Sequence, residues 1–313
     1  MKKHIKVRKY IISAAMLLAT SSILFAADGP QVEKKKTYSK SYSINGNDKI
    51  NISNQFGEVK INTWSKNEVK VEVNITVKAN SEDRAQSIID NIAIEDSKSG
   101  DEVSFKTTIG KDQEWKGDKK NNSNQGMEIN YEVSMPAASP LILQNQFGRS
   151  FVPDLSGPVE ITQKFGDLEA GNLPNIKELH VEFGSAMVES IGNCKVVIKF
   201  SKAEIKKMSG SIKGNFEFCD KVKLALDNNV TDFNLNNSYS HIEIAVAGTF
   251  GGDFEIHTNF GEFKNGSALS FKEDKDEDSD NRGPRFDKDF NAKSGNGACK
   301  VKIKSSFGTI KLI

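Results

Sequence analysis

Apolar and polar residues alternate along most of the chain, and an aromatic residue followed by a small one interrupts the alternation at regular places. Around Phe56, for example, Ile50 and Ile52 stand six and four positions upstream, and Val59 and Ile61 stand three and five positions downstream. Steps of two predict β-strands with one buried face, so each aromatic residue marks a corner between two strands. The corner residues are Phe56, Phe147, Phe165, Phe183, Phe200, Phe218, Tyr239, Phe260 and Phe307.

The corners recur at an almost constant distance. From Phe147 to Phe260, successive corner residues are 17 to 21 positions apart, and a period near 20 is typical of repeat architectures. Eight residues after a corner stands a large apolar residue followed by a turn-forming dipeptide, such as Leu155 or Met208 before Ser-Gly and Ile191 before Gly-Asn. We therefore predict an all-β fold, a β-solenoid of stacked two-strand coils of ~18 residues. A β-sandwich with evenly spaced turns is the alternative interpretation.

Stacked coils place equivalent residues above one another at about 4.8 Å, the spacing of paired strands. The sequence therefore predicts a ladder of corner rings inside the protein. Glycine follows most corner aromatics, and we expect it to supply a positive φ at the corner, because positive φ costs glycine nothing.

The repeat is interrupted between its first copy and Leu141. Residues 37–140 are predicted to form an N-terminal β region with one short helix, which Asn80 or Ser81 caps and which carries apolar residues at helical spacing from Ala85 to Ile92. The other predicted elements of this region are strands at 69–77, 103–109 and 127–135 and a polar, mobile loop at 111–126.

Residues 141–313 are predicted to be the repeat region, continuous with the N-terminal part. They contain an acidic loop at 272–296 and close with residues 301–313, which we expect to act as a terminal cap. The acidic loop places aspartates at alternate positions but lacks the glycine and glutamate of a calcium-binding loop. A solvated charged loop is therefore the preferred interpretation over a calcium site.

The first residues resemble a targeting signal. Residues 1–27 combine a basic start with an apolar stretch ending in Phe25-Ala26-Ala27, which predicts a secretory signal peptide; an uncleaved membrane anchor is the alternative. Cleavage would remove five of the 43 basic residues and none of the 42 acidic ones, leaving a net charge of −4. A mildly acidic protein is a poor candidate for nucleic-acid binding.

Candidate chemistry is sparse. Cys194 occupies an inward position, and a disulfide between Cys194 and Cys219 stays open as a possibility. His180 and His257 both stand three positions before a corner aromatic, so they are predicted to face outward about four coils apart, roughly 20 Å, too far to share a metal. The sequence contains no catalytic elbow, zinc motif or phosphate loop. We therefore predict no enzyme activity, no cofactor, no metal and no catalytic residues.

Three stretches of sequence resemble the bacterial putative-adhesin domain family, which is akin to adhesin-head and LiaG-like envelope proteins. They are ISNQFGEVKI at 52–61, Trp64 with NEVKV at 67–71, and YEVSMP at 131–136. The likeness covers roughly residues 40–313, although this chain has more phenylalanine at its turns than the family usually shows. The resemblance implies a β-solenoid-like domain outside the cytoplasm, and it implies no catalytic residues, because the family has none established to carry over.

These observations favour an exported, non-enzymatic binding or adhesion protein, periplasmic or at the cell surface, whose partner is an envelope protein or a surface glycan. Two alternatives stay open at this stage. One is a glycan-active enzyme, because parallel β-helices also carry such sites, and the other is an accessory protein of envelope-stress signalling.

Overall fold

The computed structural model describes residues 32–110, 126–274 and 286–313. The predicted signal peptide, nearly all of the predicted loop at 111–126 and part of the acidic loop lie outside the described residues. Within them the fold is all-β with one helix, as predicted, and 23 strands belong to one hydrogen-bonded sheet that nearly closes on itself like a barrel.

The described part of the N-terminal region contains seven strands and one helix, in the predicted order. Its elements are β1 (Val32–Ser43), β2 (Lys49–Gln55), β3 (Val59–Trp64), β4 (Glu68–Ala79), α1 (Glu82–Asp90), β5 (Ile92–Ser99), β6 (Glu102–Ile109) and β7 (Gly126–Pro136). Helix α1 begins as the sequence predicted, because the Ser81 hydroxyl accepts a hydrogen bond from the Arg84 amide at 3.3 Å. It ends earlier than the apolar spacing suggested, since Ile92 already belongs to β5.

The repeat region begins directly after β7. Its first strands are β8 (Leu141–Gln146), β9 (Ser150–Val152), β10 (Val159–Lys164), β11 (Asp167–Leu173), β12 (Ile176–Glu182), β13 (Ser185–Ile191) and β14 (Cys194–Lys199). The later strands are β15 (Lys202–Glu217), β16 (Val222–Ser238), β17 (His241–Val246), β18 (Gly252–Asn259), β19 (Glu262–Asn265), β20 (Lys272–Glu273), β21 (Asp287–Lys293), β22 (Cys299–Ser306) and β23 (Thr309–Leu312).

Strands one repeat apart pair in parallel and form two ladders. The upstream ladder contains the strands that precede a corner, in the order β2, β8, β10, β12, β14, the second half of β15, the second half of β16, β22 and β18. The downstream ladder contains the strands that follow a corner, in the order β3, β9, β11, β13, the first half of β15, the first half of β16, β17, β23 and β19.

Register follows the sequence repeat. Leu141 lies opposite Val159, and Val159 lies opposite Ile176, so apolar residues of successive repeats stack on the buried side of each ladder. Met208 and Leu155, which the sequence placed before a second corner, are also buried.

The predicted form of separate stacked coils is not confirmed. Strands β15 and β16 run through the second corner without a break, with register shifts near Gly210, whose φ is 71°. Each of these two strands therefore belongs to both ladders, so the ladders form a single barrel-like sheet. The sequence indicated a corner at this place because Ser-Gly is a common turn dipeptide, whereas the chain passes it as an irregularity within a strand.

The segment predicted as a terminal cap lies inside the sheet. Strand β22 pairs with β16 on one side and with β18 on the other, and β23 lies between β17 and β19 in the same way. The sequence prediction assumed that order along the chain equals order in space. Beyond β18 lies β21, which pairs with it in antiparallel orientation, and the short strand β20 pairs with the other side of β21. Parts of the predicted acidic loop are therefore strands.

The opposite end of the sheet is closed by the N-terminal region. Strand β6 extends the upstream ladder, and β7, β4 and β1 extend the downstream ladder. The edges β1 and β5 then approach each other, and side chains bridge them: the Tyr42 hydroxyl donates to Asp96, and the Lys36 ammonium donates to the Ile92 carbonyl at 3.0 Å. Helix α1 packs Ala85, Ile88 and Ile89 against the strands of this end.

One continuous core fills the space between the ladders. It is built from the inward Val, Ile, Leu and Phe residues of nearly every described strand, as alternating strands with one buried face require. Among the described residues, no helix is long and apolar enough to cross a membrane.

Candidate binding surface

Ten aromatic rings form a continuous column along one edge of the molecule. We call the following residues, in their order in space, the aromatic column: Phe56, Phe147, Phe165, Phe183, Phe200, Phe218, Tyr239, Phe307, Phe260 and Phe286. Neighbouring ring centroids are 4.4 to 5.2 Å apart and the ring planes diverge by 1 to 16°. The predicted stacking of corner rings is therefore confirmed, and Phe286 adds a ring that the repeat did not reveal.

The predicted position of the rings inside the protein is wrong. Nine of the ten rings are 43 to 52% exposed, and Phe56 is half-buried. The corner residues stand an even number of positions from the buried residues before them, which would place them inward in an unbroken strand. The strand is broken at the corner itself, so the ring leaves the core and lies on the outside of the turn.

The break occurs because the aromatic residue, and not the glycine, has the positive φ. All nine corner aromatics of the repeat have φ between 48 and 65°, which is the left-handed region. This conformation costs an ordinary residue about 1–2 kcal/mol, and a stacked aromatic pair contributes about 0.5–1.5 kcal/mol beyond the area that it buries. The stacking energy along the column is therefore about as large as the backbone strain, and the net contribution of the rings to stability is small.

Glycine is required at the next position for a different reason. A Cβ atom on Gly166 would lie 1.9 Å from the Gly148 carbonyl oxygen, and one on Gly184 would lie 2.0 Å from the Gly166 carbonyl oxygen. Successive corners thus touch backbone to backbone, and a side chain would push them apart. The predicted conformational role of these glycines is replaced by a steric one.

Buried amide side chains complete the hydrogen bonds of the corners. Asn145 donates to the carbonyl oxygens of Gly57 at 3.2 Å and Arg149 at 3.0 Å, and Gln163 donates to the Gly148 carbonyl oxygen at 2.6 Å. Both side chains are fully buried. Sequence reasoning missed this role, although the signal was available: these polar residues stand two positions before a corner aromatic, where alternation predicts an inward side chain.

Charged residues flank the aromatic column on both sides. On the upstream flank, immediately before the corner, Lys164 pairs with Glu182 at 3.0 Å and Lys199 pairs with Glu217 at 2.9 Å. Hydrogen bonds from Lys199 and then from Asn215 lower the pKa of Glu217, so this carboxylate is charged near neutral pH.

The downstream flank, two positions after the corner, also alternates in charge over part of its length. Arg149 lies 3.5 Å from Asp167, and Lys202 and Asp220 follow two and three repeats further along. Gly184, Ser185 and Ser201 leave a groove of about 660 Å³ beside the rings of Phe200 and Phe218. The surface therefore has an apolar ridge, a shallow groove and a charged rim.

The two histidines face outward on the upstream ladder, as predicted. Their separation is larger than the sequence suggested, because β22 is inserted between β16 and β18 and places His180 and His257 five strand spacings apart. Burial, more than the nearby Lys164, lowers the pKa of His180. His257 lies 2.8 Å from Asp289, in an open pocket of about 660 Å³ whose rim also carries Glu255 and Lys302.

The three cysteines are free and buried. Cys194 occupies the inward position that the sequence predicted, and a Cys194–Cys219 disulfide is not formed. Burial raises the pKa of Cys194 to about 12 and that of Cys299 to about 11, so these thiols are poor nucleophiles. In the described parts of the chain, no group of three or more histidine, cysteine or acidic side chains could hold a metal ion.

No family model and no curated protein matches the sequence. Solved structures similar to this one include a putative cell adhesion protein from Clostridium sporogenes, with 13% identity, coverage of 89% of this chain and 99% of that chain, and a TM-score of 0.26. A putative adhesin from Bacteroides fragilis has 14% identity, coverage of 89% and 97%, and a TM-score of 0.30.

A putative lipid binding protein from Parabacteroides distasonis has 10% identity, coverage of 88% and 96%, and a TM-score of 0.35. The names of the first two agree with the family that the sequence resembles. At TM-scores this low, the similarities carry no argument about how this chain functions.

Proposed function

We propose that this protein is an exported, non-enzymatic, adhesin-like binding protein of the bacterial cell envelope, and that its contact surface is the aromatic column. The observation that carries the proposal is the exposure of the stacked rings at one edge. A Phe side chain presents about 200 Å², so nine rings that are 43 to 52% exposed leave about 900 Å² of apolar surface. Exposed apolar patches on monomers are usually about 300–600 Å², and larger ones mark interaction sites.

The geometry of the column favours a protein partner over a glycan. The nearly parallel planes of neighbouring rings show that each ring face is covered by the next ring, which leaves the ring edges for solvent. Sugars commonly use ring faces, whereas apolar side chains pack well against edges. The partner is therefore proposed to be an envelope protein.

The export proposal rests on the sequence of residues 1–27, and cleavage would leave a periplasmic or surface protein. We also propose the finer architecture: an N-terminal region, residues 37–140, followed by a solenoid-like repeat region, residues 141–313. Parallel pairing at a shift of one repeat, as between Leu168 and Ala186 and between Ala186 and Ala203, supports this description.

Envelope retention of the full chain tests the proposal. In bacteria that express it, we expect residues 1–27 to be removed and the protein to stay with washed envelopes. Phe183→Asn with Phe200→Asn removes two adjacent rings and keeps a residue type that tolerates positive φ, so this variant should be released.

Met187→Asn is the matched control, because Met187 is 49% exposed on the outer face of β13, away from the column, and this variant should be retained. Equal retention of the column variant would contradict the proposed contact surface, and an uncleaved cytoplasmic protein would contradict export. Release after digestion of envelope glycans alone would identify a glycan as the partner instead.

A further inference from the structure

We propose that a second copy of this chain docks on the aromatic column, in antiparallel orientation, with Phe200 of each copy facing Phe218 of the other. This inference rests on the proposed function only in taking the column as the contact surface. The second copy and the envelope partner would occupy the same surface, so they bind in alternation and each excludes the other. The resulting dimer would be a two-fold symmetric, self-complementary interface, the commonest kind in soluble homo-oligomers.

The area of the column suits such a dimer. About 900 Å² of ring surface on each copy would be covered, or about 1,800 Å² in total. Stable, specific interfaces bury about 1,200–2,000 Å² in total. Centring the two-fold axis between Phe200 and Phe218, the fifth and sixth of the ten rings, also lets the columns overlap along their whole length.

Charge complementarity selects this arrangement. In antiparallel docking about an axis across the column, each flank faces the same flank of the other copy in reverse order. Lys199 then faces Glu217 of the other copy on the upstream flank. On the downstream flank, Lys202 faces Asp220 and Arg149 faces Glu262. Each of these contacts occurs twice, and among the described flank residues no like charges face each other.

Other arrangements of two columns bring like charges together. A parallel dimer would set the upstream flank against the downstream flank, so Lys199 would face Lys202 and Glu217 would face Asp220. Moving the antiparallel axis onto the Phe200 ring would set Lys199 against its own copy. Facing like charges disfavour an arrangement strongly, while exposed opposite charges contribute little affinity. The rim therefore fixes the register, and the rings supply the affinity.

Sedimentation equilibrium of the exported full-length product, as recovered from the envelope, tests self-association. We expect a dimer. Phe200→Asn with Phe218→Asn should raise its dissociation constant at least ~30-fold, as expected for loss of central aromatic contacts. Met187→Asn should leave the constant unchanged. A protein that is monomeric at its highest soluble concentration would overturn the proposal.

A charge swap tests the register without touching a ring. Arg149→Glu should weaken the dimer about 5- to 10-fold, the range expected for two rim pairs at low salt. Adding Glu262→Arg to the same chain restores opposite charges at both contacts and should recover the original constant. A double variant that is as weak as Arg149→Glu alone would overturn the antiparallel register.

Disulfide trapping gives the second measurement. Chains carrying Arg149→Cys mixed with chains carrying Glu262→Cys should form a cross-linked pair, and the three native thiols are buried and do not compete. Chains carrying Arg149→Cys alone should not cross-link to each other, because their copies lie seven ring steps apart, roughly 34 Å, far beyond the ~7 Å limit of a disulfide. Cross-linking of Arg149→Cys with itself would overturn the arrangement.

The two proposals fail in different ways. A monomer whose ring variants are released from envelopes would leave the proposed function standing and remove the dimer. A dimer that dissociates in the ring variants while envelope retention is unchanged would support the dimer and remove the column from envelope attachment.

Discussion

The inner and outer sides of the repeated corner differ in the interactions that determine their residues. On the inner side, Asn145 and Gln163 donate to corner carbonyls, and glycine backbones touch at distances that exclude a Cβ atom. On the outer side, aromatic residues hold a strained backbone conformation and half of each ring meets solvent. The inner side is therefore dictated by backbone packing and hydrogen bonding, whereas the fold itself requires no aromatic residue on the outer side.

This difference supports the outer side as the proposed contact surface. Asparagine tolerates positive φ better than phenylalanine, so a corner that served the fold alone would be at least as stable with asparagine. The aromatic residues offset their own strain only by stacking on one another. Eight successive corners, from Phe147 onward, carry an aromatic residue in a strained and exposed position, which supports the proposed contact surface.

We expect the largest loss of stability from a substitution on the inner side, at the glycine that follows a corner aromatic. Gly166→Ala places a methyl group 1.9 Å from the Gly148 carbonyl oxygen of the preceding corner, where only backbone movement can relieve the clash. We expect a loss of about 4 kcal/mol or more in the free energy of unfolding, in the range of exceptional substitutions. Urea unfolding followed by circular dichroism measures it.

Gly46→Ala is the control for this substitution, because no atom lies within 4 Å of the Cβ position at Gly46. Its effect should stay within about 0.5 kcal/mol. Equal effects of the two substitutions would show that the corners do not depend on close backbone contact.

Replacing an inward and an outward phenylalanine near the same corner should also change stability by very different amounts. Phe216 is fully buried and Phe218 is half exposed, two positions further along. Phe216→Ala should cost about 3–5 kcal/mol through the lost burial and the cavity. Phe218→Asn should change stability by about 1 kcal/mol or less, because the loss of stacking is balanced by relief of strain. Thermal or urea unfolding of both variants distinguishes these outcomes, and a costly Phe218→Asn would make the column a stability element.

Substitutions in the charged rim should change the free energy of unfolding least, and the size of this change should depend on pH. Lys199 lowers the pKa of Glu217 below its usual value of 4.5, so this pair stabilises the folded state above that value and the stabilisation is lost as the pH falls through the lowered pKa. Lys199→Gln should therefore cost less than about 1 kcal/mol at neutral pH, and the deficit should shrink on acidification.

Unfolding curves from about pH 6 to about pH 2 measure this effect. The same series on Lys60→Gln, which changes an exposed lysine of β3, serves as the control and should not show this acid-dependent change. A deficit for Lys199→Gln that is constant across the series would contradict the assignment.

Strand patterning predicted much of the architecture. The alternation along residues 69–77 and the inward positions of Leu155 and Met208 all hold in the structure, because burial of one strand face is a local property that a period of two records. The stacking of the corner rings also followed from the repeat, since the register of parallel strands carries equivalent residues to the same height.

The orientation of the rings could not be predicted by the same rule. Alternation assumes an unbroken strand, and one residue with positive φ, such as Phe147 at 57°, reverses the side on which its own side chain lies. The insertion of β22 between β16 and β18 was equally inaccessible, because it depends on which strand edges are free in space and not on the repeat of residues 301–313. The amide donors at Asn145 and Gln163 were visible as polar residues in inward positions, but alternation alone does not say which carbonyls they reach.

The insertion of β22 and β23 has a consequence for how the molecule is assembled. Strands made later in the sequence fill a slot whose two walls, β16 with β17 and β18 with β19, are made earlier. During synthesis these earlier strands therefore have unpaired edges until β22 and β23 are made, and unpaired strand edges can pair with other chains. Premature closure of this slot would produce a shorter column missing the Phe307 ring, so the late arrival of one strand pair is the step at which folding and misassembly compete.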